Sequence, residues 1–269
     1  MIAVPFPYYG GKGRVAEVVW RRFGNPDYYY EPFAGGLGVL LARSSPGKYE
    51  FISDADGFVT NFWRAAKYAP DDVAHYADDP PNSIELIARA YWLKKQEKVL
   101  LERVLGNPEY YDAQVAGWWA WCQSSSINSN NDATLALGRH GGIHRERRTD
   151  NLPDYVRGLS DRLNKVRIFH GDWTRLAMCS LRNAKQRGKS AIFLDPPYTH
   201  RAGRQKNLYA HDSLKVGHYV QRWALHAAGP DLKVALCGYA GEYDMPPSWE
   251  EIPWKSLYGR GRERIWFSP

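Results

Sequence analysis

The sequence has few of the residues that build disulfide frameworks or metal centres. Its three cysteines, Cys122, Cys179 and Cys237, are odd in number, far apart and in no C-x-x-C pair. This argues against a disulfide framework and against a zinc site, and it indicates a reducing compartment. None of the eight histidines stands at metal-ligand spacing from a cysteine. We therefore expect no metal.

Long apolar segments are missing too. The N-terminus has no apolar stretch of the kind found in secretory signals. No segment approaches the about 18 consecutive apolar residues that suggest a membrane-spanning helix. There is also no internal repeat. We expect a protein that is neither secreted nor embedded in a membrane and that works in the cytoplasm.

The composition is that of a basic globular chain. A hydrophobic fraction of 44% argues against general disorder, and 269 residues suit one large α/β domain or one domain with a sizeable insertion. The 36 Lys and Arg against 29 Asp and Glu give a net charge of +7. This favours a polyanionic partner, although many basic proteins never bind nucleic acid.

Helical and strand patterns alternate at both ends of the chain. They predict, in order, a helix at 15–23, a strand at 28–33, a short helix through 39–41, a strand at 49–54 and a helix at 58–68. After the middle region come a helix at 155–163, a strand at 166–169, a helix at 176–186, a strand at 191–194, a helix at 219–227 and a strand at 234–237. This alternation is typical of an α/β protein with a mostly parallel sheet.

The middle of the chain has a different pattern. A linker at 78–81 precedes Asn82 and Glu85, which resemble a capping pair that opens a long helix ending near Gly106. A second helix is predicted at 109–123, with tryptophans that we expect in the core rather than as a base-intercalating wedge: Trp118, Trp119 and Trp121. We therefore predict a mainly helical insertion at 65–159, within a domain formed by 1–64 and 160–269.

The most informative segment is Asp195-Pro196-Pro197-Tyr198, which follows the predicted buried strand. The prolines stop that strand, so the tetrapeptide lies at its carboxyl end, where open α/β sheets bind ligands. The Asp195 carboxylate and the Pro196 carbonyl are acceptors that suit an amine with two N–H donors. Tyr198 offers a face on which a planar base can stack. The alternative is an ordinary strand-ending turn.

A glycine-rich segment, Glu31-Pro32-Phe33-Ala34-Gly35-Gly36-Leu37-Gly38, ends another predicted strand, and its glycines let the backbone turn tightly beside a ligand. It fails the dinucleotide pattern G-x-G-x-x-G because Leu41 replaces the last glycine. Lys12 follows two glycines, but Phe6 and Gly13 break the pattern of a triphosphate-binding loop. Asp54 closes the second strand, where it can accept both hydroxyls of a ribose or cap the next helix.

These segments resemble the Dam-like group of DNA adenine-N6 methyltransferases. Three segments carry the resemblance, in the family's order: Tyr8-Tyr9-Gly10-Gly11-Lys12, Glu31 to Gly38, and Asp195 to Tyr198. Weaker similarities also fall in the expected order: Asp54-Ala55-Asp56, Gly171-Asp172, Cys237-Gly238-Tyr239 and Glu263-Arg264-Ile265-Trp266. The resemblance leaves out residues from about 65 to 160, and Asp56 stands where asparagine is common.

The resemblance implies a Rossmann-like, S-adenosylmethionine-dependent methyltransferase whose inserted region recognises the target. The implied catalytic residues are Asp195, Pro196, Pro197 and Tyr198. The implied cofactor contacts are Tyr8, Gly11, Lys12, Glu31, Phe33, Ala34, Gly35, Gly36, Gly38, Asp54, Asp172 and Asp195. Asp172 matches less sharply and could instead cap a helix.

The chemistry implied is methyl transfer to the N6 amine of adenine in double-stranded DNA. Acceptors at Asp195 and Pro196 would favour the pyramidal amine, whose lone pair is free to attack. The target base must leave the duplex, at a cost of a few kcal/mol, of which stacking on Tyr198 can return ~1–3 kcal/mol. No metal and no covalent enzyme intermediate is needed.

Basic clusters suggest where DNA lies, although any charge run can be a solvated face. The residues we expect at DNA are Arg139, Arg145, Arg147, Arg148, Arg201, Arg204 and Lys206. We expect Arg201 and Arg204 to hold phosphates and at least one arginine of the earlier cluster to read the sequence. No obligate protein partner and no membrane is indicated, and the setting is a bacterial cell or its phage.

Three other functions stay open. N4-cytosine methylation of DNA fits the same acceptors, and so does methylation of an amine in RNA. The third is a DNA- or S-adenosylmethionine-binding module without activity, against which the intact tetrapeptide and glycine segment argue.

Overall fold

The structure is a computed structural model that describes residues 2–6, 11–80, 82–125, 151–198, 215–255 and 262–269. Within these ranges the helices are α1 (Ala16–Phe23), α2 (Gly57–Tyr68), α3 (Pro70–Ala77), α4 (Ser83–Gly106), α5 (Ala113–Ser125), α6 (Leu152–Leu163), α7 (Thr174–Arg187) and α8 (Val216–Ala227). The strands are β1 (Tyr28–Glu31), β2 (Tyr49–Asp54), β3 (Val166–His170), β4 (Ser190–Leu194), β5 (Leu232–Tyr239), β6 (Glu250–Trp254) and β7 (Glu263–Phe267). A short 3-10 turn, Lys12–Arg14, precedes α1.

The described strands form one sheet in the order β3-β2-β1-β4-β5-β7-β6. The first five run parallel to one another, whereas β7 runs antiparallel to β5 and to β6. The chain leaves β1 toward β2 and β3, and later returns to build β4 and β5 on the other side of β1. The expected Rossmann-like, mostly parallel α/β fold is thus confirmed, with its topological switch between β1 and β4.

Helices cover both faces of the sheet, so the central strands are buried on both sides. Every residue of β1 and of β4 is buried, which explains why β4 consists of an uninterrupted apolar run after Ser190. Alternate side chains point to opposite faces: Tyr29 and Phe193 pack with α1, α2, α5 and α6, whereas Tyr30 and Ile192 pack with α7 and α8.

The middle helices add to the hydrophobic core on the face of the sheet that carries Tyr29 and Phe193. Trp119 of α5 packs its ring against Phe6, Phe58 and Phe62, and both Trp119 and Trp121 are buried, so the core role expected for these two is confirmed. Trp118 is partly buried and packs against the same core. None of the described helices is long and apolar enough to cross a membrane.

Two buried polar side chains of α2 hold the end of α4 and the start of α5. Nη1 of Arg64 donates to three carbonyls, those of Val104, Asn107 and Tyr110, at 3.2–3.4 Å. Asn61 exchanges two hydrogen bonds with the backbone of Asp112. Burial lowers the pKa of Arg64. The predicted division at 65–159 has its limits inside α2 and α6 and stays a prediction.

The capping signal at Asn82 is confirmed in part. Asn82 Oδ1 accepts a hydrogen bond of 2.8 Å from the Glu85 amide and caps α4. The Glu85 carboxylate pairs with Arg89 one turn later instead of completing a reciprocal cap.

Several local predictions were wrong. Residues 39–41 form turns rather than a short helix, because Gly35 and Leu37 before them have positive φ and Leu40 bonds to side chains. The second middle helix begins at Ala113 instead of 109, with Asp112 bonding to the amide of Val115. Helix α3 and strands β6 and β7 were not predicted at all.

Candidate active site

Three carboxylates lie at the carboxyl ends of three adjacent strands. Glu31 ends β1, Asp54 ends β2, and Asp195 follows the last residue of β4. Because β1 lies between β2 and β4, these side chains gather at the topological switch, where ligands of such sheets bind.

Asp195 receives a hydrogen bond on each carboxylate oxygen. Nζ of Lys12 donates to Oδ2 at 2.6 Å, and the hydroxyl of Tyr198 donates to Oδ1 at 3.0 Å. The Lys12 side chain is 5% exposed and that of Asp195 is 18% exposed, so this ion pair is largely removed from water. Charge-assisted bonds of this kind are short and strong. The structure thus shows that the tetrapeptide presents an acceptor for N–H and O–H donors.

Aromatic rings surround the ammonium of Lys12. Its Nζ lies 5.4 Å from the ring centre of Tyr198 and 5.1 Å from that of Trp254. The Tyr198 ring meets Tyr239, at the end of β5, edge to face at 4.7 Å. A cation at these distances from two ring faces is stabilised by their quadrupoles.

The short turn that carries Lys12 packs directly on the glycine-rich loop. A Cβ atom on Gly38 would lie 2.7 Å from the amide nitrogen of Gly13 and 3.2 Å from the backbone of Lys12. Glycine is therefore required at position 38 so that the Lys12 turn can approach. The loop fixes the backbone of Lys12 and, through it, the reach of the ammonium to Asp195.

The same loop is tied to β2 and α2. Gly35, with φ of +43°, donates its amide hydrogen to Asp54 Oδ2 at 2.9 Å and accepts from the indole of Trp63 at 2.8 Å. Leu37 also has a left-handed φ of +54°, which a non-glycine residue adopts at a cost. Strain in a loop beside the switch point is consistent with a binding role.

Asp54 is partly buried and does not cap a helix. Its Oδ1 accepts from the Asp56 amide, and Asp56 is the residue that caps α2. The alternative role weighed for Asp54 is therefore wrong. Burial, with the nearby charge of Asp56, raises the pKa of Asp54 to about 7, although the bonds from Gly35 and Asp56 oppose the rise. An ionised Asp54 retains lone pairs for further donors.

Glu31 is buried and bonded from two sides. Its Oε2 accepts from the Tyr29 hydroxyl at 2.8 Å and from the Leu40 amide at 3.2 Å. Burial raises the pKa of Glu31 to about 8; the two hydrogen bonds lower it, and the charge of Asp195 adds to the rise. A cation close to this buried carboxyl would stabilise its ionised form.

A buried ion network supports the loop from behind. The side chain of Glu50 is fully buried and pairs with Arg43 at 3.1 Å and with Arg162 at 2.6 Å. Arg162 also donates to the Leu40 carbonyl at 3.0 Å. Leu40 is thus held by Arg162 on one side and by Glu31 on the other.

The remaining predicted cofactor residues that the structure describes lie along the same edge. Phe33 stacks on Trp173 at 6.4 Å, Ala34 is buried, and Gly36 lies between Gly35 and Leu37 in the loop. Asp172 is exposed and accepts a 2.9 Å hydrogen bond from the Thr174 amide, but Trp173 occupies the N-cap position of α7 and no side chain caps it, so the capping alternative is not confirmed. Its cofactor role, like that of exposed Gly11, stays a prediction.

Other predicted site residues lie outside the described residues: Tyr8, Arg139, Arg145, Arg147, Arg148, Arg201, Arg204 and Lys206. Their roles stay predictions. Within the part of the chain that is described, no three His, Cys, Asp or Glu side chains cluster as metal ligands.

Trp254 is a site residue that the sequence did not reveal. It ends β6, a strand with two glutamates and a proline in its five residues, and no pattern marked it as a strand. Tyr239 carried only a weak family similarity. Both reach the site because β5, β7 and β6 are neighbours in the sheet.

Comparisons with known proteins add little. No family model and no curated protein matches the chain. Among solved structures, two of the rRNA methyltransferase AviRa from Streptomyces viridochromogenes are similar, at 13% and 12% identity and TM-scores of 0.38 and 0.40. The alignments cover 100% of this chain and 88% and 90% of those chains. Likeness at this level adds nothing to the description of the sheet and carries no conclusion about activity.

Proposed function

We propose that this protein transfers a methyl group from S-adenosylmethionine to an exocyclic amine of a nucleic-acid base, and that this amine is N6 of adenine in a specific double-stranded DNA sequence. One observation carries the proposal. The Asp195 carboxylate stands at the β1/β4 switch point and already accepts an amine-type N–H donor, the Lys12 ammonium, at 2.6 Å. Such an acceptor suits the amino group of a base.

The residues at the strand ends fit a cationic nucleoside cofactor. Asp54 would accept the ribose hydroxyls, the loop from Gly35 to Gly38 would contact the adenosyl part, and Glu31 would favour the positive charge. A pyrophosphate, by contrast, would meet the like charges of these carboxylates. The bound cofactor would supply an electrophilic methyl group on a positively charged sulfur.

Asp195 and the Pro196 carbonyl would orient the amine by accepting its two hydrogens. The nitrogen lone pair would then take the methyl group, and the electron pair of the broken C–S bond would stay on sulfur. The nitrogen would lose one proton to Asp195, which would pass it to solvent. Tyr198 holds the carboxylate in place through its hydroxyl. Orientation and fixed acceptors supply most of the acceleration.

The net charge of +7 supports a nucleic-acid substrate, whose phosphates it attracts. We propose that the region at 65–159 and its arginines select the sequence, and that Arg201, Arg204 and Lys206 hold the strand beside the flipped base. We propose that the target leaves the duplex before reaction, which the largely water-excluded position of the acceptor supports.

The test is methyl transfer by Asp195→Ala with tritiated cofactor on DNA and on RNA. We expect a loss of about a hundredfold or more, because fixed acceptors at a reacting group contribute on this order. Cofactor binding, measured by calorimetry, should persist. The matched control is Glu17→Ala, since Glu17 forms an exposed ion pair with Arg21 within α1, outside the proposed recognition region, and its activity should be unchanged.

Asp195→Ala also breaks the ion pair with the buried Lys12 ammonium, and breaking a buried pair from one side costs about 3–5 kcal/mol. The double variant Lys12→Met with Asp195→Ala removes both charges and should regain stability without regaining activity. If Asp195→Ala transfers methyl groups within about tenfold of the unaltered protein, a loss of about 1.4 kcal/mol or less, the proposed function is wrong. Transfer to cytosine or to RNA alone would favour the other substrates considered for this site.

A further inference from the structure

The ammonium of Lys12 holds the position that the proposed substrate needs. It is buried, donates to Asp195 Oδ2 at 2.6 Å, and lies over one face of the Tyr198 ring at 5.4 Å. A base bound for methylation would place its amine at Asp195 and its ring against Tyr198. Lysine and base would therefore compete for one carboxylate oxygen and for one aromatic face.

We propose that Lys12 is a specificity-determining residue whose ammonium stands in for the target amine and must leave Asp195 before a base can react. The inference rests on the proposed function for the identity of the base. A group that enters the site without an N–H donor cannot replace the bond that the ammonium gives up. Lys12 thus favours bases that carry an exocyclic amine.

The exchange would move the side chain of Lys12 while its backbone stays fixed. Close packing of Gly38 on Gly13 and Lys12 holds the turn, so displacement must occur in the flexible stem of the side chain. Oδ1 of Asp195 is still oriented by Tyr198 when the ammonium leaves. The acceptor therefore keeps its direction during the exchange.

The charge of the cofactor makes the exchange conditional. Glu31 and Asp195 would favour a cationic cofactor, and its positive charge would compete with the Lys12 ammonium for the same carboxylates. The hold of Lys12 on Asp195 would then be weaker with the cofactor bound, so the base would enter more readily after the cofactor. The family resemblance assigns Lys12 to the cofactor instead, and the two roles predict different results for variants of Lys12.

The experiment measures adenosine binding by calorimetry, with the cofactor site saturated by S-adenosylhomocysteine. Lys12→Met should bind adenosine at least about tenfold more tightly than the unaltered protein, equal to about 1.4 kcal/mol. The affinity for purine riboside, which lacks the amine, should increase clearly less. Lys12→Gln, which keeps a neutral donor, should bind adenosine with an affinity between those of the unaltered protein and Lys12→Met.

The control is Arg14→Met, on the same turn but exposed, which should change neither affinity. Equal or weaker adenosine binding by Lys12→Met overturns the proposal, as does an equal gain for both nucleosides. A loss of S-adenosylhomocysteine affinity in Lys12→Met with no gain for adenosine would show that Lys12 is a cofactor contact. The comparison needs no methyl transfer, so it fails separately from the proposed function.

Discussion

The carboxyl groups at the strand ends are held in a poorly solvated place. Burial raises the pKa of Asp54 to about 7 and that of Glu31 to about 8. Near neutral pH each of these groups therefore carries a proton for a substantial part of the time. A cation bound beside them favours the ionised forms, and so does a hydroxyl that donates to Asp54.

These shifts predict that cofactor affinity rises with pH. Below the raised pKa the carboxyl must first lose its proton, which costs about tenfold in affinity per pH unit for each such group. Affinity for S-adenosylmethionine should thus increase from about pH 6 and level off above about pH 8. Calorimetry in buffers of different ionisation enthalpy should record proton release at about pH 6.5.

The matched variants are Asp54→Asn and Glu31→Gln. Each should weaken binding at high pH and flatten the part of the profile that its carboxyl governs, near pH 7 for Asp54 and near pH 8 for Glu31. A profile that is flat in the unaltered protein, or proton uptake on binding, contradicts the cationic role assigned to this site.

The positions of single site residues could be predicted where a local sequence pattern determines them. The strand ends at Asp54 and Asp195 follow from apolar runs and from proline chemistry. The pairing of Lys12 with Asp195 joins residues 183 positions apart, and only the packing of the turn on the loop creates it. Trp254 was missed for the same reason, since its strand joins the sheet through β7.

At the scale of secondary-structure elements, the loop after β1 links several parts of the site. It bonds to Asp54 through Gly35, to Glu31 and Arg162 through Leu40, and it carries the Lys12 turn on Gly38. Its shape depends on left-handed φ values and side-chain bonds rather than on helix formation. Apolar periodicity at 39–41 cannot reveal this, so the predicted short helix was wrong.

Gly38→Ala should displace the Lys12 turn. The new Cβ would lie 2.7 Å from the Gly13 nitrogen, a backbone atom that moves only with the turn. We expect a destabilisation of about 1–3 kcal/mol, as in other overpacked sites, and a larger loss of cofactor affinity than of stability. Thermal unfolding and calorimetry measure the two effects.

Gly13→Ala is the matched control, because a Cβ there has nothing within 4 Å. It should leave stability and affinity close to those of the unaltered protein. If both substitutions behave alike, the contact between the loop and the turn does not position Lys12.

Helix α3 and strand β6, which were not predicted, show which structural information local sequence patterns do not carry. Helix α3 begins with Pro70 and has Asp71 and Asp72 in its first turn, which are typical of a helix start. Strand β6 is the edge of the sheet and contains Pro253, a residue that argues against a strand unless the strand lies at an edge. Its place is decided by pairing with β7.

For the molecule as a whole, the alternation of strands and helices was enough to predict a mostly parallel sheet, whereas the strand order and its switch point came only from the structure. It could not predict how α3, α4 and α5 stack on α2, since that depends on buried contacts such as those of Arg64. The chain carries a net charge of +7, while three carboxylates gather at the strand ends. The carboxylates suit a bound cation, and the net positive charge suits a polyanionic partner.

The most direct test of the proposed activity is single-molecule sequencing of genomic DNA from a host without adenine methylation of its own. The host expresses either the unaltered protein or Asp195→Ala. We predict N6-methyladenine at one recurring sequence with the unaltered protein and none with the variant. Methylated cytosine alone, or unmodified DNA beside newly methylated RNA, would contradict the proposed substrate, and unmodified nucleic acid of both kinds would contradict the proposed reaction.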